Sequence, residues 1–220
     1  MHVFEAIATR RSIRGFLARD VARETIEDLL AIAARAPSGG NIQPWKVHVL
    51  CGASLGRVAG AIHAARASGP LEPDYAYYPS GWREPWLSRK RKVGWDLYAL
   101  AGVQKGDRAA GEAFHARNFD FFGAPVGLLL TIERDAGEGA WVDLGIFAGT
   151  LMLAARGLGL DTCPQAFFAE VGQPIREALP LPSDQIVVCG IALGYADPKS
   201  SLNGLVTERE PVPGFTTFHD

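Results

Sequence analysis

Between Trp141 and Leu158 the chain is apolar almost all the way round a helix, since Leu144, Ile146, Phe147, Leu151 and Leu153 cannot share one narrow stripe. A helix with a single apolar stripe needs one neighbour; this one must be covered on more than one side. Gly157 and Gly159 end it. Near-continuous apolar runs flank it, Val126 to Ile132 and Ile186 to Leu193, and read as strands buried on both faces. A covered helix among covered strands requires a layered fold with helices on a sheet.

The remaining elements fill in those layers. Val3 to Arg10 is a short amphipathic helix with Phe4 and Ile7 on one side. Ile26, Leu29, Leu30 and Ala33 recur with helical spacing behind a cap at Asp20, and Pro37 stops that helix. Trp45, Val47 and Val49 alternate with Lys46 and His48 as in a strand. Helices are expected over 54–67, 107–122 and 170–179, and a short strand over 161–163. Residues 68–106 differ: four prolines sit among Tyr75, Tyr77, Tyr78, Trp82, Trp86 and Trp95, with Arg89-Lys90-Arg91-Lys92 inside. This segment is too short to bury its own core, so it is read as a surface excursion carrying one helix near 88–101. The whole, 1–220, reads as one α+β domain of three layers with an extended tail from about 197. The helix at 141–158 and the tail both want a partner subunit to cover them.

Composition excludes several classes. With 22 basic and 24 acidic residues the net charge is −2, so any anion site is local and no general nucleic-acid surface is expected. No charged leader precedes an apolar run and no long uninterrupted apolar span stands out, so neither a signal peptide nor a membrane segment is expected and a cytoplasmic location is. Cys51, Cys163 and Cys189 lie far apart in apolar segments and read as reduced core thiols. The dinucleotide fingerprint, the P-loop, paired metal-ligand motifs and the nucleophile elbow are all missing from the sequence, so no catalytic residue or metal site is expected. An enzyme without these borrows its chemistry from a cofactor.

Four segments offer donors to such a cofactor. Arg10-Arg11-Ser12-Ile13-Arg14 concentrates guanidinium and hydroxyl groups that suit a phosphate, although cations are also simply favourable at a helix C-terminus. Ser38-Gly39-Gly40-Asn41-Ile42-Gln43 combines close backbone approach with two amides, or is an ordinary helix-to-strand turn. Cys163-Pro164-Gln165-Ala166-Phe167 follows a strand, where open sheets place ligands. Arg209 stands alone in the tail.

Together, R-R-S-I-R, A-P-S-G-G-N-I-Q-P-W, D-L-G-I-F-A-G-T-L-M-L-A-A-R-G-L-G-L, C-P-Q-A-F and N-G-L-V-T-E-R-E resemble the FMN-dependent nitroreductase family over the whole chain. The excursion, Y-P-S-G-W-R-E-P through R-K-R-K-V-G-W-D-L-Y, is similar to bacterial members of the nitrobenzoate-reductase type. The resemblance implies a three-layer α/β/α sandwich, an intertwined homodimer, FMN in the interface, and NADH or NADPH as electron donor. Acceptors would be nitroaromatic, nitrobenzoate-like among them, or quinones, in a ping-pong cycle. It implies that Arg10, Ser12 and Arg209 hold the phosphate, with Arg11 beside them and its role open. Arg14 and Asn118 would lie at the pyrimidine edge. Pro37, Ser38, Gly39, Asn41 and Gln43 would line the flavin of the opposite subunit, and Pro164, Gln165 and Ala166 would present backbone groups near N5. Thr207 stands where some members carry a lysine, which removes one cation from the phosphate. Trp82, Trp86, Trp95 and Tyr98 would stack on an aromatic acceptor or pack the excursion. Flavin fragmentation, reductive dehalogenation, enone reduction and a non-catalytic flavin carrier remain the alternatives on this fold.

Overall fold

The computed structural model describes residues 1–219. Four strands form one antiparallel sheet in the order β1-β2-β4-β3: β1 Lys46–Cys51, β2 Val126–Glu133, β3 Asp161–Gln165 and β4 Gln185–Gly194. The central strands β2 and β4 pair through Leu128↔Ile191 and Leu129↔Gly190, with one register shift between Leu130 and Thr131. Around the sheet run α1 Val3–Thr9, α2 Arg23–Ala33, α3 Ala53–Ser68, α4 Trp86–Ala101, α5 Arg108–Ala116, α6 Gly137–Gly157 and α7 Gly172–Ala178.

The apolar run of β2 divides as a strand must, alternately to two faces. Val126, Leu128, Leu130 and Ile132 join α2 and α6 residues such as Leu29, Leu144, Phe147 and Leu151 in one core. Leu129 joins Val58, Ile62, Phe121, Phe168 and Ile175 in the other. The three-layer sandwich read from the sequence is therefore the fold. Leu128 is fully buried between sheet and helices, so truncation to alanine there costs about 3 kcal/mol. The second core depends on two glycines. A Cβ on Gly127 would lie 2.6 Å from the Phe121 ring, and one on Gly190 would lie 2.4 Å from Phe168. These bare backbones form the slot for two rings whose centroids are 4.6 Å apart.

Several boundaries differ from the sequence expectation. The predicted helix over 107–122 keeps Asp107 as its cap but ends at Ala116. Phe121 and Phe122 then take positive φ of 49° and 55°, which swings both rings into the core. Left-handed backbone costs about 1–2 kcal/mol per residue, and burying two phenylalanines more than offsets it. Asp20 does not cap α2; the cap is Ala22, without a side-chain bond. The α6 helix begins at Gly137, a turn before Trp141. It has the length and composition to cross a membrane, but its buried side, Leu144, Phe147, Leu151 and Ala155, packs in the first core. Cys163 is buried, whereas Cys51 is exposed because β1 is an edge strand, so it is not a core thiol.

Candidate functional site

The segment 10–16 leaves α1 at Arg10, which has extended backbone, φ −60° and ψ 128°. It then lies along β3. Ser12 pairs in parallel with Thr162, and the Ile13 N–H donates to the Thr162 carbonyl at 3.0 Å. Extended chain alternates, so Ile13 and Gly15 turn inward while Ser12 and Arg14 stay half-buried at the surface. A Cβ on Gly15 would come within 2.2 Å of the Ser200 hydroxyl, so only glycine lets the tail approach. Asn203 closes that approach. Its Oδ1 accepts the Arg14 N–H at 2.8 Å, and its Nδ2 donates to the carbonyls of Gly15 (2.8 Å) and Asp197 (3.0 Å). Asn203 carries no role in the sequence expectation; its place in N-G-L, between two loops, gave no periodic signal.

Behind this segment the tail returns with Thr207 and Arg209. The Arg209 guanidinium donates to the Thr207 hydroxyl (2.6 Å) and to the carbonyls of Thr207 and Glu208. Thr207, where a lysine was wanting, thus orients the arginine instead of adding a charge. Arg10, Arg11, Ser12, Arg14, Thr207 and Arg209 line one cleft of about 710 Å³, floored by Gly149, Met152 and Leu153 of α6 and closed on one side by Val93 of α4. Four guanidiniums meet there, and among the described residues no carboxylate lines the cleft. Arg14 donates to the Ser12 carbonyl and lies 5.9 Å from the Phe122 ring centroid, where Arg117 sits at the same distance and donates to the Arg14 carbonyl. Arg11 stands on the ridge between this cleft and a neighbouring hollow that contains Arg156 and Asp161.

The second predicted segment lies elsewhere. Ser38 Oγ accepts the Gln43 N–H at 3.0 Å, and Gln43 donates to the Asn41 carbonyl and side chain. Gly40, Asn41 and Gln43 all have positive φ, so the loop is tightly folded. Asp143 of α6, buried and absent from the sequence expectation, accepts the Gly39 N–H with both oxygens at 3.1 and 3.2 Å. Pro37 is exposed beside this loop. Asp143 precedes Gly149 and Leu153 by two to three helical turns, roughly 9–15 Å along the axis, and Met152 is about half a turn round from it. One chain therefore presents the loop and the cleft on different faces of α6.

At the end of β3, Pro164 is exposed and Ala166 half-buried, but the Gln165 side chain is buried and donates to the Asn118 carbonyl at 2.6 Å. Gln165 Oε1 has no partner among the described residues. The Asn118 amide donates to the His115 carbonyl at 2.9 Å, and Asn118 is not among the residues lining the cleft. Burial pushes the Cys163 thiol up to about 11, against the opposing pull of Arg14 and Arg10, so it stays protonated at neutral pH.

The excursion is a ladder of rings. Tyr75 meets Trp141 edge-on at 4.6 Å, then Tyr77, Tyr78 and Trp82 follow, and Lys90 closes the series 4.1 Å above Trp82. Packing, the plainer of the two sequence readings, describes Trp82. Trp95 is 65% exposed. With Tyr98, Lys105, Arg108 and His115 it lines a hollow of about 660 Å³ between α4 and α5, on the face of α4 turned from Val93. Burial, and then Arg66, hold His115 below the usual imidazole range, against the pull of Glu170. The ladder is anchored by Asp74, whose carboxylate takes Arg176 at 2.6 Å and Arg134 at 3.2 Å. Among the described residues no cluster of histidine, cysteine and carboxylate side chains is arranged to hold a metal.

A helix-covered antiparallel sheet with a preformed cationic cleft between an N-terminal segment, an apolar helix and a C-terminal tail defines an α/β/α protein whose cleft has the charge to suit an anionic ligand. The chain belongs to the Nitroreductase family, whose description matches residues 7–195. It is 41% identical over 219 residues, 98% of this chain and 95% of the relative, to a 4-nitrobenzoate reductase of Pseudomonas putida. Its fold matches the FMN and NADPH-dependent nitroreductase NfnB of Sphigopyxis sp. strain HMH at 37% identity and a TM-score of 0.97, covering all of both chains. It matches the FMN-dependent nitroreductase NfnB of Mycobacterium smegmatis in complex with NADPH at 30% identity and a TM-score of 0.94, covering 99% and 97%.

Proposed function

We propose that the protein is an FMN-dependent oxidoreductase that uses NAD(P)H, NADPH foremost, to reduce nitroaromatic acceptors of the nitrobenzoate class. The observation that carries this reading is the cleft: four arginines converge with no carboxylate among its described lining residues, in a molecule whose net charge is −2. Guanidinium groups suit a phosphate, and the apolar α6 floor suits a ring system. The residues fit FMN: Arg10, Ser12 and Arg209 would take the phosphate, Arg14 the pyrimidine edge, and Pro164 with half-buried Ala166, at the end of β3, the central ring. Bound FMN supplies hydride acceptance and delivery. The chain itself would bind and orient the cofactor, and Arg14 would offer a positive charge to the pyrimidine edge of the ring. Full-length similarity to named nitroreductases favours this reaction over fragmentation, dehalogenation or a carrier role.

We infer further that two copies build each site. Ser38, Gly39 and Asn41 lie on another face of α6 from the cleft of their own chain, which supports a second copy bringing them to it. Val142, Ile146, Gly149 and Leu153 form one stripe along α6, with Val142 64% and Ile146 40% exposed. Phe4 on α1 and Phe215 and Phe218 in the tail are also exposed. Apolar surface of this extent asks for a partner, and a twofold pairing is the simplest that closes.

The test is purified protein with NADPH and 4-nitrobenzoate. Expected are a yellow protein that releases FMN on denaturation and acceptor-dependent oxidation of NADPH. A colourless protein that fails to take up added FMN would overturn the assignment, and a monomer at working concentration would overturn the shared site.

A further inference from the structure

Arg209 poses a problem of charge. It sits between two carboxylates, Glu208 and Glu210, in an exposed tail, and each would repel a phosphate drawn to it. The opposing cations come from α4. Arg89 donates to Glu210. The Lys92 ammonium lies 3.6 Å from Glu208 and 2.7 Å from Asp96. Arg89, Lys92 and Val93 stand at i, i+3 and i+4, hence on one face of the helix, and Val93 is the α4 residue that lines the cleft. The basic run read from the sequence as a solvated face or a lure for acceptors is thus engaged at three of its positions, with Lys90 on the aromatic rings.

We propose that Arg89 and Lys92 are positioning residues for the phosphate site: they neutralise the two carboxylates flanking Arg209 and dock the tail on α4, so that the arginine faces the cleft as a net cation. This rests on the reading of the cleft as a phosphate site. It gives the excursion a task in cofactor retention besides any contact with acceptors. Asp96 also draws on Lys92, so Arg89 carries the larger share. Exposed ion pairs contribute little to folding, so the effect belongs in cofactor affinity and its salt dependence, not in thermal stability.

The experiment measures FMN affinity of the full-length protein by quenching of flavin fluorescence at low and high salt. The double variant Arg89→Gln/Lys92→Gln is expected to bind FMN about fivefold more weakly at low ionic strength, two charges being lost near a dianion. The deficit should shrink at about 0.5 M salt, where the screening length falls to a few ångströms. Adding Glu208→Gln/Glu210→Gln to that variant should restore affinity, which a purely mechanical tie would not do. Unchanged affinity at low salt, or a loss that removing the carboxylates leaves in place, overturns the proposal. Arg209→Ala is run alongside: if it leaves FMN affinity unchanged, the phosphate assignment itself falls; if it weakens binding while Arg89→Gln/Lys92→Gln does not, only the role of α4 falls.

Discussion

Segment 10–16 and the excursion at 68–106 both gather cations, yet they are built in opposite ways. In the first, the backbone is tied down: Ile13 to Thr162, Arg14 to Asn203, and Gly15 to Asn203 and Asp197. Its guanidiniums are left facing a cleft. In the second, the side chains are tied down, Arg89 and Lys92 to carboxylates and Lys90 to rings, while the backbone ladder is anchored at a few points such as Asp74 and the Tyr75 hydroxyl on Val188. A ligand site wants a fixed frame and unengaged donors, because ordering costs are then met before binding. Engaged donors on a lightly tethered frame make a wall. Cation density alone does not separate the two.

That contrast can be broken most sharply at Arg209. Its replacement by alanine should weaken FMN binding by about 1.5–3 kcal/mol, the worth of a charge-assisted hydrogen bond, or roughly ten- to a hundredfold. Fluorescence titration reads it directly, and a Kd within twofold of the parent would place the phosphate elsewhere.

The frame is tested at Asn203. Asn203→Ala removes three hydrogen bonds at once and leaves the Arg14 N–H without its acceptor, so about 2 kcal/mol of stability should go, together with some FMN affinity. Denaturant unfolding with and without FMN measures both; a stable variant with normal cofactor binding would show that the tether is dispensable.

The anchor of the excursion has a pH signature. Burial alone would raise the Asp74 carboxyl, but Arg176 and then Arg134 outweigh it and hold it below the ordinary 3.8. A lowered folded-state value contributes stability that is present above the unfolded value and is lost as pH falls through the folded one, below about 4. Asp74→Asn should cost about 1–2 kcal/mol at pH 7 and flatten the acid limb of the stability profile. An acid limb identical to that of the parent would exclude Asp74 as its cause.

The smallest effect is expected at Arg91, an exposed position on α4. Arg91→Ala should change stability by less than about 0.5 kcal/mol and leave FMN affinity unaltered. A measurable loss of either would mean that the basic run acts as a whole, not through the two residues facing the tail.

Much of this was legible in the residues. The covered strands, the α6 helix and the layered fold follow from apolar runs too continuous for one-sided burial, and the arginines and serine of 10–14 announce themselves by chemistry. The helix break after Ala116 was not legible, because a pattern of apolar residues does not reveal that Phe121 and Phe122 gain more from the core than from a further helical turn. Nor was Asp143, whose helical position looks unremarkable until the Gly39 N–H arrives from far along the chain.

By itself, then, the sequence determined the elements, their burial and the supply of donors, since these depend on neighbours within a turn or two. Tertiary structure alone decided which donors remain open to a ligand. Arg14 is fixed by Asn203, 189 positions away, and Arg89 is engaged by Glu210, 121 positions away. Such pairings are set by where the fold brings distant segments together, and no local propensity encodes them.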